Sequence, residues 1–298
     1  MPQPPLPHPP LPERAARGLL GAPIVALVLY GAFGVSLSQL AGKAIRPLSA
    51  RGGRALGRWS YGAWTRGLTG LTHRLYGVEL VLSGAPLPAV RDAVLIANHQ
   101  SMLDIPVIVD LAEAAGRGPA LRWFAKDVLK YVPGVGWALR DVAVMVKREW
   151  ARDQRTIEQV FAGLMDSPDP FWVVSFSEGT RITPEKLAAS QAFSEERGMR
   201  PLQHLLRPRP KGFAATVSGL RPRLQEVIDL TLGYPEGVPD LEHLATGQAR
   251  RFHVHLRRYP IEDLPAEEEA LGAWLQARFE EKDALLDHFY REGRFPSA

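Results

Sequence analysis

The chain has 298 residues, 46% hydrophobic and 23% charged, enough for one sizeable core and a small accessory region. It has no cysteine, which excludes disulfides, a thiol nucleophile and cysteine metal sites, so stability must come from packing and from contact with lipid. The formal charge of +4 suits anionic partners, whether phospholipid surfaces, phosphorylated carriers or nucleic acid, and does not choose among them.

Residues 1–13 carry prolines at 2, 4, 5, 7, 9, 10 and 12, too many for a helix or a central strand, which predicts a disordered, extended tail. Residues 18–42 then form a run of 25 residues with no formal charge. As a helix this run would extend roughly 37 Å, enough for a bilayer core. A cleaved signal peptide would be shorter and would follow a basic N-terminus directly, which this run does not. Arg14 and Arg17 precede it, whereas Lys43, Arg46, Arg51, Arg54 and Arg58 follow. That asymmetry predicts a membrane protein, in the inner or plasma membrane if bacterial, with the rest of the chain facing the cytoplasm. Trp59, Tyr61, Trp64 and Tyr76 alternate with arginines as in a segment lying among headgroups. The plainer alternative is a buried helix pair with basic caps. Residues 14–77 are therefore expected to form membrane-associated helices that either span or dip into one leaflet, and residues 78–298 a catalytic domain.

Beyond Val78, short apolar runs alternate with helical patterns. Strands are expected at 94–97, 142–146, 171–176, 227–234 and 252–256, and helices at 104–115, 152–165 and 267–290. This order predicts an α/β fold, a mixed central sheet flanked by helices, with functional residues in loops at strand ends.

At Asn98-His99-Gln100-Ser101-Met102-Leu103-Asp104 a buried strand gives way to a helix. Five positions apart, His99 and Asp104 would lie on different faces of one continuous helix. They can meet only if His99 precedes the helix and Asp104 sits in its first turn. The carboxylate could then fix one imidazole nitrogen and leave the other free to take a proton from a hydroxyl. Ser101-x-x-Asp104 is also a capping pattern, which needs no catalysis.

Ser177-Glu178-Gly179-Thr180-Arg181 follows the 171–176 strand. Gly179 permits a tight turn, Arg181 can grip a phosphate, and Glu178 can hold that arginine or a substrate hydroxyl. A surface turn with a solvated ion pair is the bland alternative. Lys147-Arg148-Glu149 closes another strand, and Pro208-Arg209-Pro210-Lys211-Gly212 reads as a rigid proline turn. With Lys126 and Arg181 these place several cations at one sheet edge, where a phosphate or phosphopantetheine would be drawn.

In this order the four sites resemble the motif blocks of the glycerophospholipid acyltransferase family, over roughly residues 70–260. Its NHxxxxD block matches Asn98 to Asp104, its second block Val144 to Arg148, its FPEGTR block Phe176 to Arg181, and its proline block Arg207 to Gly212. Tyr131-Val132-Pro133-Gly134-Val135-Gly136-Trp137 looks like the joining segment of the first two blocks. The continuations Lys147-Arg148-Glu149-Trp150 and Thr180-Arg181-Ile182-Thr183-Pro184-Glu185-Lys186 are similar to the subgroup of lysocardiolipin acyltransferase and its bacterial relatives. Ser177 stands where proline is typical, which would loosen the turn without removing a catalytic group.

The resemblance implies transfer of a fatty acyl group from acyl-CoA or acyl carrier protein to a lysophospholipid hydroxyl, with no metal or redox cofactor and no nucleic acid. It implies His99 and Asp104 as the catalytic pair. Glu178, Gly179, Thr180 and Arg181 would bind the acceptor phosphate, with Arg148, Lys126 and Lys211 as further candidates. A hydrolase would need a nucleophile elbow or a zinc helix, and neither G-x-S-x-G nor H-E-x-x-H occurs. The remaining alternative is a non-catalytic membrane-associated lipid-binding protein on the same fold.

Overall fold

The structure, a computed structural model, describes residues 3–126, 143–146 and 150–296. Residues 3–10 run extended, as their prolines require, and lie against the domain rather than forming the expected disordered tail. Leu6 N donates to Val238 O and Val238 N to Pro4 O, both at 2.9 Å. Helix α1 (Leu11–Ile45) starts with Pro12 in its first turn, where a missing N–H costs nothing, and so begins earlier than residue 14. Its Gly21–Ile45 stretch is long and apolar enough to cross a membrane, and most of it is not covered by the rest of the chain.

Helix α2 (Ala50–Tyr76) is capped by Ser49 and ends at Gly77, whose φ of 62° favours glycine. It packs antiparallel on α1. Trp64 Nε1 donates to Leu27 O at 2.9 Å, and near the hairpin's turn a Cβ on Gly42 would stand 2.6 Å from Gly53 O. Only glycine allows the two backbones to come so close.

The catalytic-domain candidates follow as β1 (Glu79–Gly84), β2 (Ala93–Ala97), α3 (Asp104–Ala114), β3 (Leu121–Lys126), β4 (Ala143–Val146), α4 (Trp150–Asp166) and β5 (Trp172–Ser175). Then come α5 (Pro184–Glu195), α6 (Pro210–Leu220), β6 (Glu226–Gly233), α7 (Leu241–Ala245), β7 (Arg251–Pro260) and α8 (Glu268–Glu292). Among the described residues the strands make a seven-stranded mixed sheet, ordered β1-β7-β6-β2-β5-β3-β4, with β6 and β7 antiparallel and the other pairs parallel.

All of β2 is buried because both sheet faces are covered. Ala93, Leu95 and Ala97 pack with Val107 and Leu111 of α3. Val94 and Ile96 point the other way, toward Phe161 of α4, Phe213 of α6 and Phe279 of α8. Since β2 is parallel to β5 and β6, all three release their following loops at the same sheet edge.

Candidate active site

The loop after β2 reverses sharply enough for His99 and Asp104 to meet. His99 Nδ1 lies 2.8 Å from Asp104 Oδ2, and Asp104 is fully buried. The same oxygen accepts Gln100 N–H at 2.7 Å and Ser101 N–H at 2.9 Å, while Tyr234 O–H donates to Oδ1. Ser101 Oγ accepts Leu103 N–H at 3.1 Å. One carboxylate thus ties the loop backbone and holds the imidazole, while Leu103, at the N-cap of α3, makes no side-chain cap bond. The ring itself stacks on Phe176, with centroids 4.1 Å apart, and keeps one edge on a cavity.

Glu178 does not pair with Arg181. Its carboxylate is buried and takes His99 N–H at 2.8 Å and Leu206 N–H at 3.1 Å, so it joins the two loops instead of facing solvent. Burial pushes its pKa up to about 8, against the pull of these two amides. The turn is not loosened by Ser177. Gly179 N–H closes it on Phe176 O at 2.9 Å, Gly179 takes a φ of 74°, and Ser177 O accepts Arg209 N–H at 2.8 Å. Thr180 Oγ1 and Arg181 O both receive the Lys186 ammonium, at 2.8 and 3.0 Å.

Arg181 and Lys211 are exposed at the rim of the same cavity as His99, and among the described residues no carboxylate pairs with either. The proline segment is not a free turn: Pro210 occupies the first turn of α6, so Lys211 stands at that helix's positive end. Lys126 is the last residue of β3, at the sheet edge where its neighbours end, while Arg148 and the joining segment 131–137 lie outside the described residues. Sequence reasoning missed Arg209, which lies over Gly179 on this rim, and Lys186. Both lie inside quoted motifs but were not singled out there as site residues. It also missed Tyr234, whose only signal was its place at the end of a predicted strand.

The cavity measures about 1620 Å³. One end is basic, with Arg181, Arg209 and Lys211; the other runs between the N-terminal hairpin and α3, lined by Ile24, Val28, Trp64, Leu68, Ile105 and Val109. His99 stands on its wall. Among the described residues one metal-ligand-like group occurs, His8, Asp240 and His243, with donor atoms within 4.8 Å of one another. None of the three lines the cavity, and Asp240 already bridges the two stacked imidazoles.

A probable 1-acyl-sn-glycerol-3-phosphate acyltransferase 5 of Arabidopsis thaliana is 31% identical to this chain over 255 residues, covering 85% of the chain and 68% of that protein. The chain belongs to the glycerophospholipid acyltransferase family. Lysocardiolipin acyltransferase 1 of Gallus gallus is 32% identical over 75% of the chain and 61% of its own length. The human 1-acyl-sn-glycerol-3-phosphate acyltransferase delta is 33% identical over 69% of the chain and 55% of its own length. The chain thus spans between about half and two thirds of these relatives. The family model described as Acyltransferase matches residues 81–220, and one described as Acyltransferase C-terminus matches 243–298. The fold is similar to a crystal structure of the 1-acyl-sn-glycerophosphate acyltransferase PlsC from Thermotoga maritima, with a TM-score of 0.58 at 16% identity, covering 95% of this chain and 100% of that one. In this acyltransferase, Tyr234 falls between the two matched regions and Tyr290 within the second, yet both reach the His99 loop.

Proposed function

We propose that the protein transfers a fatty acyl group from an acyl-CoA or acyl carrier protein thioester to the hydroxyl of 1-acylglycerol-3-phosphate or a related lysophospholipid. The observation that carries this reading is the His99 imidazole, fixed by Asp104 on one nitrogen and set in the wall of a cavity that is cationic at one end and apolar at the other. A lysophospholipid has the same polarity. Its phosphate would sit against Arg181, Arg209 and Lys211 and its acyl chain along α1, α2 and α3.

Neutral His99 removes the acceptor's hydroxyl proton at Nε2 as the oxygen attacks the thioester carbonyl. The new C–O bond forms, the C–S bond breaks, and the imidazolium returns the proton to the departing sulfur. Asp104 fixes the tautomer and holds the imidazolium while it lasts. A base of this kind contributes about 10²- to 10⁴-fold, and the remainder comes from holding alcohol and thioester in line. Glu178 acts one step back, by fixing the backbone of His99.

The same reading puts α1 in the bilayer and the catalytic domain on the cytoplasmic side, where the basic residues following the apolar stretch concentrate. Apolar chains would then enter the cavity without crossing water. To test the activity, the purified, detergent-solubilised protein is incubated with a panel of lysophospholipids and both donor types, and the lipids are identified by mass. A product heavier by one acyl group is expected. Release of free fatty acid with every lysophospholipid left unchanged would overturn the assignment.

A further inference from the structure

Asp104 is fully buried and its two oxygens are served unequally. Oδ2 takes three donors, from His99, Gln100 and Ser101, whereas among the described residues Oδ1 takes one, the Tyr234 hydroxyl. Tyr234 is only 2% exposed, follows the end of β6, and meets Phe252 edge-on at 6.0 Å, so the phenol has little freedom to swing away. Burial, and then the charge on Asp104, push its pKa well above the ordinary tyrosine value, so it donates at any working pH. The same stretch of chain grips the loop again: Leu232 O accepts from Asn98 Nδ2 and Gln100 Nε2, each at 3.0 Å. Gln100 Oε1 in turn receives Tyr290 O–H of α8 at 2.9 Å.

We infer that Tyr234 is a positioning residue for acyl transfer: its hydroxyl locks the Asp104 carboxylate in the rotation that presents Oδ2 to His99. Without that donor, Oδ1 is a buried acceptor with no partner, and the carboxylate gains by turning toward the loop amides and away from the imidazole. Tyr234 need never meet the substrate. It acts through Asp104, and its loss should therefore appear in turnover and not in binding.

This inference rests on the proposed role of His99, and its test separates the two. Tyr234→Phe keeps the ring and its contact with Phe252 and removes only the donor. The expected result is a fall in kcat of about 10- to 100-fold, the range for losing a hydrogen bond to a charged group, with the KM for both substrates within about twofold of wild type. Combined with Asp104→Asn, Tyr234→Phe should cost nothing further, because both changes disable the same element. A wild-type kcat in Tyr234→Phe, an equal loss in the presence and absence of Asp104→Asn, or a loss confined to KM would each overturn the inference. If His99→Ala abolishes transfer while Tyr234→Phe does not lower it, the proposed reaction stands and the tyrosine's role falls. If His99→Ala is fully active, both fall.

Discussion

The loop from His99 to Asp104 and the rim carrying Arg181, Arg209 and Lys211 open on one cavity but are held in opposite ways. In the loop nearly every polar group is bound. Asn98 and Gln100 are tied to β6, Ser101 to Leu103 and Pro239, Asp104 to four donors, and the His99 amide to Glu178. On the rim Arg181, Arg209 and Lys211 are exposed, and among the described residues no carboxylate neutralises them. On the proposed reading the loop makes and breaks the bonds, which needs fixed geometry and accords with groups overdetermined by hydrogen bonds. On the same reading, headgroup binding needs charge that can adjust, and three cations with no carboxylate partner among the described residues would give that.

The contrast predicts which kinetic constant each region controls. The largest effect belongs to the loop: Asp104→Asn should lower kcat about 10²- to 10⁴-fold with little change in KM, measured by steady-state transfer to a lysophospholipid. If KM rose while kcat held, the carboxylate would belong to binding and the division between the two regions would fail. On the rim, Arg181→Ala should raise the acceptor's KM about tenfold, the loss of one charge-assisted contact, and leave the donor's KM unchanged. An effect on the donor alone would move the phosphate site elsewhere. Arg209→Ala should act in the same direction.

The smallest effect concerns Glu178, which sits between the regions. Its pKa of about 8 in the folded chain exceeds the ordinary 4.5, so its contribution to stability is full below about 4.5 and is lost as pH rises toward 8. Glu178→Gln puts an NH2 group, which cannot accept, where the protonated carboxyl keeps a hydroxyl oxygen that can, and should unfold at a lower temperature at pH 5. It lacks the titration, however, so by pH 8 its unfolding midpoint should come within a few degrees of wild type. Parallel stability curves for the two proteins across that range would show that Glu178 does not titrate there.

How much of this was legible depended on the kind of signal. Strands β2, β5 and β6 are buried on both faces; the apolar runs of β2 and β5 announced them, and β6 stood out although Asp229 and Thr231 interrupt it. Strand β1 is an edge with a half-exposed pattern, and β3 interrupts its apolar residues with Arg122, so neither stood out. Helix α6 was hidden by Pro210 and Gly212, which read as a turn although proline is at home in a first helical turn. The N-terminal prolines forbade a helix over residues 3–10 but not over 11–13, where α1 begins, and said nothing of the two backbone bonds to Val238, more than two hundred residues away.

At the site, His99 and Asp104 were legible because five residues at a strand-to-helix break permit few geometries, and the pair is where that argument put it. Glu178 was placed in the right loop, but Arg181, one of the two partners offered for it, is not one it takes. Its sequence neighbours a cation, but its carboxylate is buried, and burial follows from the distant Leu206 segment. Tyr234 meets Asp104 across 130 positions, a contact that only the sheet order creates.

The most direct test of the central claim is single-turnover acyl transfer to a lysophospholipid by wild type and His99→Ala, both shown to be folded and associated with vesicles. Loss of about 10²- to 10⁴-fold in the transfer step, with lysophospholipid still bound, is the predicted result. Transfer by His99→Ala at the wild-type rate would contradict it.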